Sequence, residues 1–329
     1  IGEEALRWNR SNRTRKGRLR MLLLALALGA PAGAGAVSGV VAFAQDDLSN
    51  DWRREQVAAV ARVLEAHPEV TFRVTDARGD AAVQALHIDR QIREGVDVLI
   101  TSPADAELLD PVLRRAREAG IPVILLSRRT RSDAFTSFVH ADDRAIARRL
   151  ASFLFDRLDG EGRILMLRGV PGATTTRHRT ETFRELAAAE PGIEVTDRTA
   201  NYLRGDAILA VDELLRRHDG FPFEAVYAQS DSMAEGARIA LRRNGVDPAG
   251  LVIAGVDYID EARSAIRAGE QVVSFTYPTG GKRGGELALR LLDGESVPRQ
   301  VLLDSRRVTR ENVDEMEPIF GTSDSEARP

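Results

Sequence analysis

The 329-residue sequence predicts an α/β protein of two lobes, each a parallel sheet with helices packed on it. Three observations lead there. Between about residue 37 and residue 305, short β-branched runs, often continuously apolar, alternate with helical segments. That is how strands buried on both faces and their crossover helices read. Roughly ten strands exceed one small sheet, so the alternation divides in two, with a break near Ala141 and Asp142. Nearly every strand-like run ends in a short polar loop that opens a helix. Those loops hold the unusual polar residues Gln45, Ser102, Ser127, Arg128, 169–179, Ser230 and Asp257. Parallel sheets bind ligands just beyond the carboxyl ends of their strands, so the loops mark the candidate pocket.

In chain order, the apolar run 37–44 is the first predicted strand. The helix 52–67 follows, with Val57, Val60 and Leu64 on one face. Strand 70–75 and helix 81–94 come next, then strand 98–101, helix 106–119 and strands 122–126 and 136–140. Past the break, helix 143–158 leads to strand 163–167, helix 177–190, strand 193–196, helix 206–218, strand 225–228, helix 231–244 and strand 251–256. Helix 259–269, strand 271–276, helix 280–292 and strand 300–303 complete the alternation. Asp51, Ser230 and Thr176 are residues of the type that caps helix N-termini. The polar segment 321–329 is expected to be a disordered tail.

A hydrophobic content of 43% supports two ordinary cores. The formal net charge of −4 argues against a dedicated nucleic-acid binder, which usually carries a basic excess. Lys16 and Lys282 are the only lysines, so arginine is the default cation here and a single Arg is weak evidence for a site. The absence of cysteine excludes disulfides, thiolate chemistry and a lipid-modified N-terminal Cys. Basic residues up to Arg20, an apolar run 21–28 and small residues ending in Ala34, Gly35 and Ala36 read as a cleaved export signal over 1–36. The competing reading is an uncleaved anchor.

Glycines at 33, 35 and 39 precede their strand, with the wrong spacing for a dinucleotide loop. The five histidines have no metal-ligand spacing, and His140 reads as structural. Neither a Gly-x-Ser-x-Gly elbow nor a Walker loop occurs. Asp142 and Asp143 read as a helix N-cap followed by an N-terminal acid. The 169–179 loop is either a cradle for an oxygen-rich ligand at a helix N-terminus or plain turn chemistry. Trp52, in the first turn of the first helix, is either a stacking platform for a sugar face or a ring packed between helix and sheet.

Taken in order, Gln45, Asn50-Asp51-Trp52-Arg53, Thr101-Ser102-Pro103, Ile121-Pro122-Val123, Ser127-Arg128, Gly169, Arg177-His178-Arg179, Ala228-Gln229-Ser230-Asp231-Ser232-Met233 and Gly255-Val256-Asp257 form an ordered set. It resembles the type I periplasmic sugar-binding proteins, the ribose- and galactofuranose-binding group of ABC-importer receptors, over roughly residues 37–310. The resemblance implies two Rossmann-like lobes joined by a multi-strand hinge, residues 37–141 with 277–304 and residues 142–276 with 305–320. It implies no enzymatic activity and no cofactor. The implied partners are a small sugar or polyol and an inner-membrane ABC permease, with no nucleic acid, and the implied receptor is a monomer in the periplasm. A ligand sensor feeding a membrane histidine kinase or chemoreceptor has the same fold. By position, Trp52 resembles the aromatic that stacks on the sugar and Arg53 a neighbouring hydroxyl contact. Arg128 and Arg179 resemble the two arginines that donate to sugar hydroxyls, and Asp257 the carboxylate that accepts from them. Tyr202 falls where a second aromatic is common. Ser102, Ser230 and Thr276 stand where the ribose group has amides, and Ser127 where both groups have Asp. A serine there is expected to leave the pocket more positive beside Arg128, which keeps neutral sugars, polyols and sugar acids all open as ligands.

Overall fold

The computed structural model describes residues 37–218 and 220–319. The export-signal reading of 1–36 and the tail 321–329 lie outside the described residues. The chain opens with β1 (Gly39–Gln45), α1 (Asp51–Leu64), β2 (Val70–Asp76), α2 (Ala81–Arg93), β3 (Val98–Thr101), α3 (Asp110–Glu118), β4 (Val123–Leu126) and β5 (Ser137–His140). It continues through α4 (Asp143–Arg157), β6 (Gly162–Arg168), α5 (Thr174–Ala187), β7 (Ile193–Thr199), α6 (Arg204–Arg217), β8 (Ala225–Ala228), α7 (Asp231–Arg243) and β9 (Val252–Asp257). Last come α8 (Asp260–Ala268), β10 (Val273–Thr276), α9 (Gly281–Leu292), β11 (Gln300–Leu302) and β12 (Arg307–Val308).

The strands form two six-stranded sheets, ordered β2-β1-β3-β4-β5-β11 and β7-β6-β8-β9-β10-β12. Every pairing is parallel except that of the short β12 with β10. The chain passes between the sheets after β5, after β10 and after β11. Successive β1 residues feed opposite cores: Ala42 and Ala44 pack with Ile88, Leu113 and Phe138, whereas Val41 and Phe43 pack with Val60, Leu64 and Leu287. In the second sheet Ile164 and Met166 face Leu150 and Phe183, and Leu165 and Leu167 face Val211 and Leu241. This double burial explains the continuously apolar strands.

Several local details differ from the sequence reading. Asn50, not Asp51, caps α1, because its side chain accepts from the Arg53 N–H at 2.9 Å. Thr176 is no cap either: α5 begins at Thr174 behind an extended Ala173. Helix α3 starts at Asp110 instead of 106, with Pro111 preset for its first turn. The antiparallel β12 has two residues and an exposed Arg307, too little pattern to read as a strand.

Candidate functional site

Both sheets turn the carboxyl ends of their central strands toward one cavity. Each sheet reverses strand order there, between β1 and β3 and between β6 and β8, which opens a crevice at the strand ends. From the first sheet come Asn50, Trp52 and Arg53 after β1, and Ser127 and Arg128 after β4. From the second come Thr175 and Arg179 on α5, Tyr202 after β7, Ser230 after β8, Asp257 ending β9 and Tyr277 after β10. Ser127, Tyr202 and Asp257 all have positive φ, at 59°, 63° and 116°. Strained non-glycine backbone of this kind concentrates at ligand clamps.

Contacts across the cavity join the two lobes. The Asn50 side chain donates to the Tyr202 carbonyl at 2.7 Å, and at the crossing after β10 Trp52 Nε1 donates to the Tyr277 carbonyl at 3.0 Å. The Ala106 N–H donates to the Gly172 carbonyl at 3.0 Å, and the Arg129 N–H to Thr174 Oγ1 at 3.2 Å. A Cβ at Gly172 would overlap Asp105 of the facing lobe, so the 169–179 loop uses glycine where the lobes meet.

Three guanidiniums wall the cavity, and each has an aromatic ring and a carboxylate beside it. Arg53 lies 4.9 Å from the Trp52 ring centre, Arg128 5.4 Å from Tyr202 and Arg179 4.6 Å from Tyr277. Asp46 takes Arg53 Nε at 3.2 Å on one oxygen and Arg128 Nη1 at 2.6 Å on the other. Arg179 donates through Nε to Asp143 at 2.8 Å and through Nη1 to the Gln229 carbonyl at 2.5 Å. Burial works to raise the Asp46 carboxyl, but Arg128 and Arg53 outweigh it and hold it below the usual carboxylate value. Burial and the adjacent Arg128 draw Arg53 down to about 10. Arg179 is pushed the other way: Asp143 overcomes burial and keeps it firmly charged.

Asp257 stands apart. Its residue is 6% exposed, and among the described residues no hydrogen bond or ion pair reaches its carboxyl. Burial raises it well above the ordinary aspartate value, against the pull of Arg179. Behind it, Asp231 Oδ2 accepts from the Tyr258 N–H at 2.6 Å and from Ser274 Oγ at 2.5 Å, which locks the turn that presents Asp257.

Trp52, Arg53, Ser127, Arg128, Arg179, Tyr202, Ser230 and Asp257 therefore share one cavity. The Trp52 ring lines the cavity and is also part of the packed core, with Nε1 hydrogen-bonded to the main chain. Ser230 faces the cavity and also caps α7 through the Met233 N–H. Ser102 lies behind the wall, where its hydroxyl accepts from Arg53 Nη1 at 2.8 Å. Thr276 is not among the lining residues; its hydroxyl accepts from the Arg306 N–H at 2.9 Å, where the chain crosses between lobes. The excess positive charge expected from Ser127 is offset, because Asp46 supplies a carboxylate to Arg128 and Arg53 together. Sequence reasoning passed over Asp46 and Tyr277 and read Asp143 only as a helix N-terminal acid. Asp46 and Tyr277 each sit one residue past a named position, Gln45 and Thr276, so reading the whole strand-end loop would have found them. Asp142 does cap α4 through the Ala145 N–H, but Asp143 serves Arg179.

Residues 41–296 match the family model described as a periplasmic binding protein domain. A protein named for rhizopine binding in Rhizobium meliloti is 30% identical over 83% of this chain and 89% of its own length. Among solved structures, the fructose-binding periplasmic domain of a hybrid two-component system is 28% identical, with a TM-score of 0.77 over 84% of this chain and 92% of that one. An ABC transporter solute-binding protein of Bacillus halodurans with bound myo-inositol is 25% identical, with a TM-score of 0.78 over 85% of this chain and 98% of that one. Members of this family bind their substrates without transforming them. With two parallel α/β sheets facing one cavity at their switch points, and with these matches, the chain belongs to the periplasmic binding proteins, in their type I sugar-binding group.

Proposed function

We propose that this protein is a periplasmic receptor that captures one neutral monosaccharide or related polyol between its lobes and delivers it to an ABC importer. The observation that carries the choice of ligand is Asp257: a buried carboxyl facing the cavity without a protein donor asks for hydroxyl hydrogens from whatever fills the site. Three arginines answer with donors, and a hydroxyl both gives and accepts. An acidic ligand would bring a second negative charge up to Asp257. In this reading Trp52 stacks on the apolar face of the ring, Arg53, Arg128 and Arg179 donate to its oxygens, and Tyr202, Ser127 and Ser230 complete the wall. Ser102 and Thr276 act from behind it. The lobes are residues 37–141 with 277–304 and 142–276 with 305–320, closing by a hinge at the three crossings. Export removes residues 1–36, and the receptor acts as a monomer. The likeness to the fructose-binding domain of a two-component system supports a second reading, a sensory receptor with the same ligand site.

A thermal-shift screen of the mature protein against pentoses, hexoses, cyclitols, linear polyols and sugar acids tests the proposal. A rise in melting temperature with a neutral member is expected. Stabilisation by sugar acids alone, or by no member, would overturn it.

A further inference from the structure

Asp46 is the first residue after β1, 3% exposed, and it faces two guanidiniums at once. Its two oxygens divide between Arg53 Nε at 3.2 Å and Arg128 Nη1 at 2.6 Å. No other carboxylate forms an ion pair with either arginine among the described residues. The third wall arginine, Arg179, pairs with Asp143, which also accepts from the Tyr277 hydroxyl at 3.4 Å. Arg53, Arg128 and Arg179 are thus paired with only two carboxylates, Asp46 and Asp143, in a buried site. Without Asp46, two adjacent guanidiniums would share no counter-charge, and a carboxylate on the ligand would supply one.

Resting on the neutral-ligand reading above, we propose that Asp46 is the residue that makes the cavity select polyols over sugar acids. It does this by neutralising, from behind, the Arg53–Arg128 pair on which an acid's carboxylate would otherwise bind. It is a specificity-determining and positioning residue: it lies behind the two arginines and is not itself a lining residue. Position 127 offers a second place from which a carboxylate could reach the two arginines. Ser127 has its hydroxyl 3.2 Å from Arg53 Nη1 and its main chain adjoins Arg128, so an aspartate there would meet the same pair from another strand end of the same sheet.

The test compares matched probes by calorimetry: xylitol with xylonate, ribose with ribonate, and myo-inositol with glucuronate. Wild type is expected to bind the neutral member of at least one pair at least ~10-fold tighter than the acid. Asp46→Asn keeps the side-chain shape and removes the charge, and should move that ratio toward the acid by at least ~10-fold, since a unit charge a few ångströms away in a shielded site is worth more than that factor. The double variant Asp46→Asn/Ser127→Asp should return the ratio toward wild type, which mere loss of support for the arginines would not do. An unchanged ratio in Asp46→Asn, or equal weakening of both members without recovery in the double variant, overturns the inference while leaving the receptor reading intact. Should Asp46→Asn melt as an unfolded chain, the double variant decides alone: a neutral preference supports the inference and an acid preference overturns it. Wild type that binds neither member of any pair would instead remove the receptor reading, and this inference with it.

Discussion

Replacing Asp257 by Asn should move stability and binding in opposite directions. The side chain is held at a strained φ of 116° by the packed turn behind it, and its carboxyl has no protein donor among the described residues. In the unliganded protein it is a buried acid with no hydrogen bond from the described residues and only the pull of Arg179 and Arg53 against burial, a situation that costs on the order of 1–3 kcal/mol. An amide in the same place removes the charge. Unfolding of the unliganded variant at pH 7 should therefore become about 1 kcal/mol harder, raising its melting temperature by about 2–4 °C. The sign follows from burial, which raises the native-state value above the unfolded one, so the native state loses stability as pH climbs out of the acid range. Binding responds the other way. Hydrogen bonds to a charged group contribute about 1.5–3 kcal/mol, and Asn offers one neutral acceptor where Asp offered two charged ones, so affinity for a polyol should fall by about 10- to 150-fold. Differential scanning calorimetry and isothermal titration on the same preparations read both effects. A variant that binds as tightly as wild type would show that Asp257 does not receive ligand hydroxyls.

Three other substitutions probe the surroundings of the site. Trp52→Ala should weaken polyol binding by more than ~10-fold, because it removes the ring face from the cavity and the Nε1 bond to Tyr277; titration that matched wild type would exclude stacking. Gly169→Ala should cost about 1–3 kcal/mol in chemical denaturation and also weaken binding, since a Cβ there would overlap the Tyr202 ring and displace a cavity wall. Burial raises Asp231 to about 6 from an ordinary 3.8, despite its bonds from Ser274, Gln271 and Tyr258. Its stabilising contribution is therefore fullest below about pH 4 and lost as pH rises to about 6, so unfolding free energy plotted from pH 4 to 7 should lose that downward component in Asp231→Asn. Parallel wild-type and variant profiles would refute the assignment.

The alternation of elements was legible because strands buried on both faces leave an unbroken apolar signal, as in Val98–Thr101 and Val123–Leu126. Pattern failed where contact replaces pattern. The start of α5 was missed by three residues because Thr174, Thr175 and Thr176 look unlike a helix; in the fold their side chains are buried and serve Tyr202 and the facing lobe. Most cavity residues were legible from their place at strand ends. Their charge bookkeeping was not, since Asp46 meets Arg128 across 82 positions and Asp143 meets Arg179 across 36. Such pairings depend on which loops the two sheets bring together. A serine at 127 viewed alone suggested a surplus of positive charge that the neighbouring loop had already cancelled.

The arginine wall also bears on how quickly and tightly a ligand can be held. Long flexible side chains normally surrender rotational freedom when they grip a guest, about 1.5–2 kcal/mol for each arginine. Here Arg53 is already tied to Asp46, Gln56, Ser102 and Ser127, Arg128 to Asp46, and Arg179 to Asp143 and Gln229. That entropy, roughly 5 kcal/mol over three residues, is lost when the chain folds instead of when the guest arrives. The site behaves as a rigid mould, and the affinity it can reach with so small a guest is correspondingly greater.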